Sequence, residues 1–145
     1  MPRIKLDLPK KFIFSTEITV RISDINYGGH LGNDAILSIV HEARLRFLKK
    51  FGYDELNVGG ASLIMGDAVI VFKSEGFYGD IITINVSVDN FSNFGFDIHY
   101  QLINKVKGKD IAHVKTGMIC FDYQSRKVMT VPLVFKDAIN ACLSS

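Results

Sequence analysis

The sequence predicts a single α+β domain, with one long amphipathic helix lying against a curved antiparallel sheet of about five strands and a short helix at the C-terminus. Three observations carry that prediction: a helical period over residues 34–51, strand periods on both sides of it, and turns of hairpin length between the later segments. Hairpin-length turns join antiparallel neighbours. A lone helix with one apolar face has only the sheet to bury it against.

The first strand is read at residues 17–23, where Ile18, Val20 and Ile22 alternate with Glu17, Thr19, Arg21 and Ser23. The helix follows, with Ile36, Val40, Ala43, Phe47 and Phe51 on one face and Ser38, Glu42, Arg46 and Lys49 opposite. Gly52 is its stop. Residues 61–75 form a long apolar strand, and EGFYGD turns the chain into 81–90, where Ile82, Ile84, Val86 and Val88 point inward. In 94–103 the shared face is Phe94, Phe96, Ile98, Tyr100 and Leu102, and a turn through Lys107, Gly108 and Lys109 leads to the last long strand, 111–123. Pro132 opens the short helix Leu133 to Cys142.

Residues 1–145 read as one domain, with no repeat or linker. A formal charge of +2 gives no nucleic-acid footprint, and the N-terminus MPRIKLDLPKKF has no apolar signal core. The expectation is a cytoplasmic protein with no membrane partner. Cys120 and Cys142 are too few for a disulfide framework or a zinc site, and they read as reduced structural thiols. No His/Cys/Asp spacing recommends a metal.

One stretch concentrates polar and flexible residues: DINYGGHLGND, residues 24–34, between the first strand and the helix. Free backbone N–H groups at a helix N-terminus favour a developing negative charge. Gly28, Gly29 and Gly32 permit close backbone approach, Asn33 or Asp34 suits the N-cap, and Asp24, Asn26 and His30 can orient water, move a proton or donate to a carbonyl. The same residues also make an ordinary turn and cap.

The run VRISDINYGGHLGNDAILSIVHEAR resembles the opening of the 4-hydroxybenzoyl-CoA thioesterase-like (acyl-CoA thioesterase) branch of the hot-dog fold superfamily. Asp24, His30, Asn33, Glu42, Ala43 and Arg44 stand at the matching positions, with weaker matches at Tyr78-Gly79-Asp80 and Pro132. The resemblance implies hydrolysis of acyl thioesters of coenzyme A or of an acyl carrier protein. It also implies a homodimer, or a dimer of dimers, with a site completed across the interface. No cofactor is implied beyond coenzyme A as part of substrate or product. The catalytic set is then Asn26, His30 and Asp34; the binding and oxyanion set is Asp24, Tyr27, Gly28, Gly29, Leu31, Gly32, Asn33 and Glu42.

The sequence departs from the family where the second acid of Asp-x-Asp is Asn26, an amide with no useful basicity. The base then falls first to His30, next to Asp34 and Asp24, and last to Glu42, which also suits an i,i+4 pair with Arg46. The alternative is a binding module that keeps the groove without hydrolysis. The turn DNFSNFG shows no phosphate clamp, whereas Lys105, Lys107 and Lys109 offer basic groups in the next turn.

Overall fold

The computed structural model describes residues 4–145 and has the expected α+β architecture. The strands are β1 (Phe14–Thr19), β2 (Ser62–Phe72), β3 (Ile81–Asp89), β4 (Gly95–Asn104), β5 (Asp110–Asp122) and the two-residue β6 (Lys127–Val128); the helices are α1 (Asn33–Lys50) and α2 (Leu133–Ser144). All strand pairs are antiparallel, in the order β1-β3-β4-β5-β2, with β6 added beside β5.

Alternation in β3 and β4 places Ile82, Ile84, Val86 and Val88 beside Phe96, Ile98, Tyr100 and Leu102 on the inner face, all nearly or fully buried. Ile36, Val40, Ala43 and Phe47 of α1 belong to the same core. Phe14 of β1 meets Phe47 with ring centroids 5.7 Å apart, and Phe135 of α2 stacks on Phe96 at 5.0 Å, closing one end. Removing such apolar surface from water stabilises the fold by about 1.5–3 kcal/mol for each large side chain.

The helix ends as Gly52 suggests. Gly52 adopts φ +79, its N–H donates to the Lys49 carbonyl, and the Tyr53 N–H donates to Leu48, the paired bonds of a Schellman stop.

Several details differ from the sequence expectations. The first strand lies earlier, at Phe14–Thr19, and Ile22 is 72% exposed in a 3-10 turn spanning Ile22–Asp24. There the Asp24 carboxylate accepts from the Arg21 backbone N–H at 2.8 Å, so a side chain replaces the strand ladder. Phe94 lies just before β4 and is half exposed. The N-cap of α1 is Gly32, with Asn33 and Asp34 already helical and no side chain capping that end.

Arg44 is buried through its partners. Its Nε donates to Glu55 at 3.1 Å and its Nη1 to the Tyr100 hydroxyl at 3.2 Å, and Tyr100 is joined to Thr116 at 2.8 Å. Burial lowers the tendency of Arg44 to stay charged, but the Tyr100 and Glu55 oxygens outweigh it and hold the guanidinium protonated. Burial pushes the Tyr100 phenol up, so it remains neutral while accepting from Arg44.

Candidate active site

The helix-entry loop is built by its own backbone. Asn26 folds its side-chain oxygen inward, accepting from the N–H of Gly28 at 2.9 Å and, at 3.5 Å, from that of His30. Gly29 turns the chain at φ +85, and the Gly32 N–H donates to the Asp24 carbonyl at 2.9 Å. A Cβ on Gly28 would lie 3.2 Å from Asn26 Oδ1 and in ordinary contact, at 3.5 Å, with His30 Nε2, so the imidazole lies beside Gly28.

This loop docks on the connection between β2 and β3. The Leu31 N–H donates to the Gly76 carbonyl at 2.7 Å, and a Cβ on Gly76 would sit 3.2 Å from the Leu31 side chain. Asp80 braces the same connection, accepting from the Phe77 N–H at 2.9 Å, while the Gly79 N–H donates to Val20 at 3.0 Å. Ser74 anchors its other end, its hydroxyl donating to the Asp110 carbonyl at 2.7 Å.

Between the two loops lies a cleft of about 250 Å³. One wall is the helix entry, with His30, Leu31, Asn33 and Ile36; the other is Phe72, Lys73, Ser74, Glu75 and Gly76, with Ile111 between. The helix N-terminus gives one end the equivalent of about half a positive charge. The opposite wall supplies a carboxylate. Leu31, Ile36, Phe72 and Ile111 supply the apolar part of the lining.

Of the residues singled out from the sequence, the cleft brings together His30, Leu31 and Asn33. The others stand elsewhere. Asn26 and Asp24 are engaged in loop hydrogen bonds, and Tyr27 is fully exposed. Gly28, Gly29 and Gly32 shape the loop, and Asp34 is exposed in the first helical turn, its Oδ1 2.8 Å from where a Gly32 Cβ would be. Glu42 accepts from Arg46 Nε at 2.8 Å, the i,i+4 pair anticipated for it. Sequence reasoning missed Phe72, Lys73, Ser74, Glu75 and Ile111. Phe72 to Glu75 fell in the strand read over 61–75 and Ile111 in the strand read over 111–123, because the docking that makes them a wall is non-local.

The pair Asp110 and His113 flanks this region from β5, 2.5 Å apart. Burial works against ionisation of Asp110, but hydrogen bonds from His113 and Gln101, with the charges of His113 and Lys73, hold it below its ordinary range. A cluster of Asp89, Asp97 and His99 gathers on β3 and β4, where the Nε2 of His99 lies 2.9 Å from Asp89.

Residues 20–139 match the family described as the thioesterase-like superfamily. The chain belongs to that superfamily. Among solved structures, this thioesterase-like chain is similar to a 1,4-dihydroxy-2-naphthoyl-CoA thioesterase from Synechocystis, with TM-score 0.79 and 24% identity over 88% of this chain and 95% of that one. It is also similar to a DHNA-CoA thioesterase from Staphylococcus aureus, with TM-score 0.76 and 21% identity over 90% of this chain and 87% of that one. Comparison with curated protein sequences found no match. The superfamily member thus has the hot-dog fold that its sequence resembles. No helix among the described residues is long and apolar enough to cross a membrane.

Proposed function

We propose that this thioesterase-like protein hydrolyses acyl thioesters of coenzyme A in the cleft between the α1 N-terminus and the β2–β3 connection. The observation that carries the proposal is that one lining holds an uncapped helix N-terminus, an imidazole, a carboxylate and apolar side chains. Superfamily membership and the names of the two structural relatives support the substrate class.

In this reading the thioester carbonyl oxygen faces the free N–H groups of the first turn of α1, which stabilise the charge it gains in the transition state. His30 takes a proton from water, whose oxygen attacks the carbonyl carbon. The tetrahedral intermediate then collapses and expels the thiolate, and the His30 imidazolium returns the proton to sulfur. The products are a carboxylic acid and a free thiol. His30 is preferred to Glu75 as proton acceptor because its half-buried ring lines the wall that carries the α1 N-terminus, whereas Glu75 is exposed on the opposite wall.

The working unit is proposed to be a homodimer or a dimer of dimers. β2 is an 11-residue strand at the sheet edge, with Met65 and Phe72 about half exposed. A long edge with apolar side chains is a surface for pairing with a second copy.

The second reading is acyl-thioester binding without turnover, and Asn26 favours it: the loop position that carries an acid in the family has an amide whose oxygen is already bonded. Thiol release from acetyl-, hexanoyl-, palmitoyl- and benzoyl-CoA separates the two. Hydrolysis predicts catalytic release from at least one; saturable binding with no release from any establishes the binding module.

A further inference from the structure

We propose that Asp89, Asp97 and His99 bind a zinc-type divalent cation where β3 turns into β4. The site stands apart from the cleft: Asp97 lies near the start of β4, whereas the cleft's Ile111 follows Asp110, which pairs with Ile103 near the end of that strand.

Strand alternation assembles the ligands. Asp89 and Asp97 are register partners beside the turn, and Ser87 pairs with His99 two positions further along, so all four side chains share the sheet face opposite core residues Val86 and Val88. One oxygen from each carboxylate and one imidazole nitrogen lie within 4.8 Å of one another. Metal bonds of about 2.0–2.2 Å span that spacing with small rotations of the two carboxylates. The sequence carries no local metal motif, because the ligands meet across a strand ladder.

The charges around the site leave a cation wanting. Two like charges directly opposite each other destabilise a ladder. The Lys and Arg salt bridges among the described residues all go to other acids. Lys115, the register partner of His99 on β5, turns its ammonium to Asp67, 3.7 Å away. The Asn90 amide donates to Asp97 Oδ2 at 3.0 Å and leaves Oδ1 for the ion.

A separate observation points to the same ion. The buried side-chain atoms with no hydrogen-bond partner among the described residues are Ser87 Oγ and His99 Nδ1, on residues that pair across this ladder. Ser87 is fully buried and His99 is 5% exposed. With Nε2 of His99 meeting Asp89 at 2.9 Å, the other ring nitrogen is unmet. A cation on Nε2 fixes the ring proton on Nδ1, and the Ser87 hydroxyl is then its acceptor, the outer-shell support that metal-bound histidines use. Two carboxylates and an imidazole favour zinc-like ions over Mg²⁺ and Ca²⁺, which prefer all-oxygen sets. Three protein ligands leave a position for water.

Calorimetric titration of the full chain with ZnCl₂, after stripping with EDTA and removal of the chelator, tests the site. The wild type should bind one equivalent that excess Mg²⁺ does not displace, and its Tm should rise with Zn²⁺. D89N and D97N, at partly exposed positions, should keep the fold, bind at least about ten-fold more weakly and lose the rise in Tm. H113A and C142S remove other zinc donors and should bind as the wild type does. Nitrogen NMR of the His99 ring should show the Nδ1–H tautomer once Zn²⁺ is added. A wild type that binds no Zn²⁺, or D89N and D97N proteins that bind it equally well, overturns the site and makes the cluster an ion-pair network neutralised by protonated His99. Binding lost in H113A or C142S, or binding that leaves the His99 ring signals unmoved, places the metal elsewhere and overturns it too.

Discussion

The backbone N–H of Leu31 donates to the carbonyl of Gly76 at 2.7 Å, and this bond ties the helix-entry loop to the β2–β3 connection. Everything proposed for the cleft depends on it, because His30 and Glu75 are the chain neighbours of the two bonded residues and line opposite walls.

Gly76→Val tests that dependence. A Cβ there lies 3.2 Å from Leu31, so the branched side chain must push the loops apart. Displacing reacting groups by about 1 Å costs on the order of ten- to a hundred-fold in kcat/KM. Thiol-release kinetics should show that loss while the far-ultraviolet circular dichroism stays unchanged. Wild-type kcat/KM in this variant would remove the clamp from the account.

Tyr100→Phe probes the buried Arg44 network. The change leaves Arg44 Nη1 and Thr116 Oγ1 without the hydroxyl they share. Unmet buried polar groups cost about 1–3 kcal/mol. Urea denaturation should show a loss of that size with an unchanged slope, and a loss below about 0.5 kcal/mol would mean that water or a rearranged side chain satisfies the site.

Asp110 sets a pH dependence. Its carboxyl is held below its ordinary value of 3.8 by His113, Gln101 and Lys73, against the contrary effect of burial. A depressed carboxylate contributes stability that is fully present above 3.8 and is lost as pH falls through its lowered folded-state value. Asp110→Asn should therefore melt below the wild type at neutral pH, and the gap should close as pH falls to about 2. A gap independent of pH would assign the effect to packing.

The two thiols should react differently. Cys120 is buried, and burial pushes its thiol up to about 11, whereas Cys142 on α2 is partly accessible. Since the thiolate is the reactive form, Ellman's reagent at pH 8 should label one thiol in the native protein and the second only after denaturation. Rapid reaction of both would contradict the packing of β5 against the core.

The sheet was legible because Ile82 to Val88 and Phe96 to Leu102 alternate without interruption, and the helix because Ile36 to Phe47 keep one face. Ile22 continued an alternation that the chain itself abandons: Asp24 offers the Arg21 N–H a nearer acceptor than a neighbouring strand does. The candidate site was half legible. Glycines and a histidine ahead of an amphipathic helix announce one wall, but the opposite wall comes from residues 72–76, some forty positions away. No local pattern could join the two, since the tie is a backbone hydrogen bond that any residue type but proline can donate. Asn26 shows the converse, a position marked by family resemblance whose side chain is occupied in shaping the loop.

The most direct test of the central claim is the turnover number of His30→Ala beside the wild type, measured by thiol release on the best acyl-CoA of the panel. Circular dichroism and gel filtration should show both proteins folded and assembled alike. A proton acceptor contributes about 10²–10⁴-fold, so the variant should lose at least about a hundred-fold in kcat. A His30→Ala protein that turns over at the wild-type rate would contradict the account.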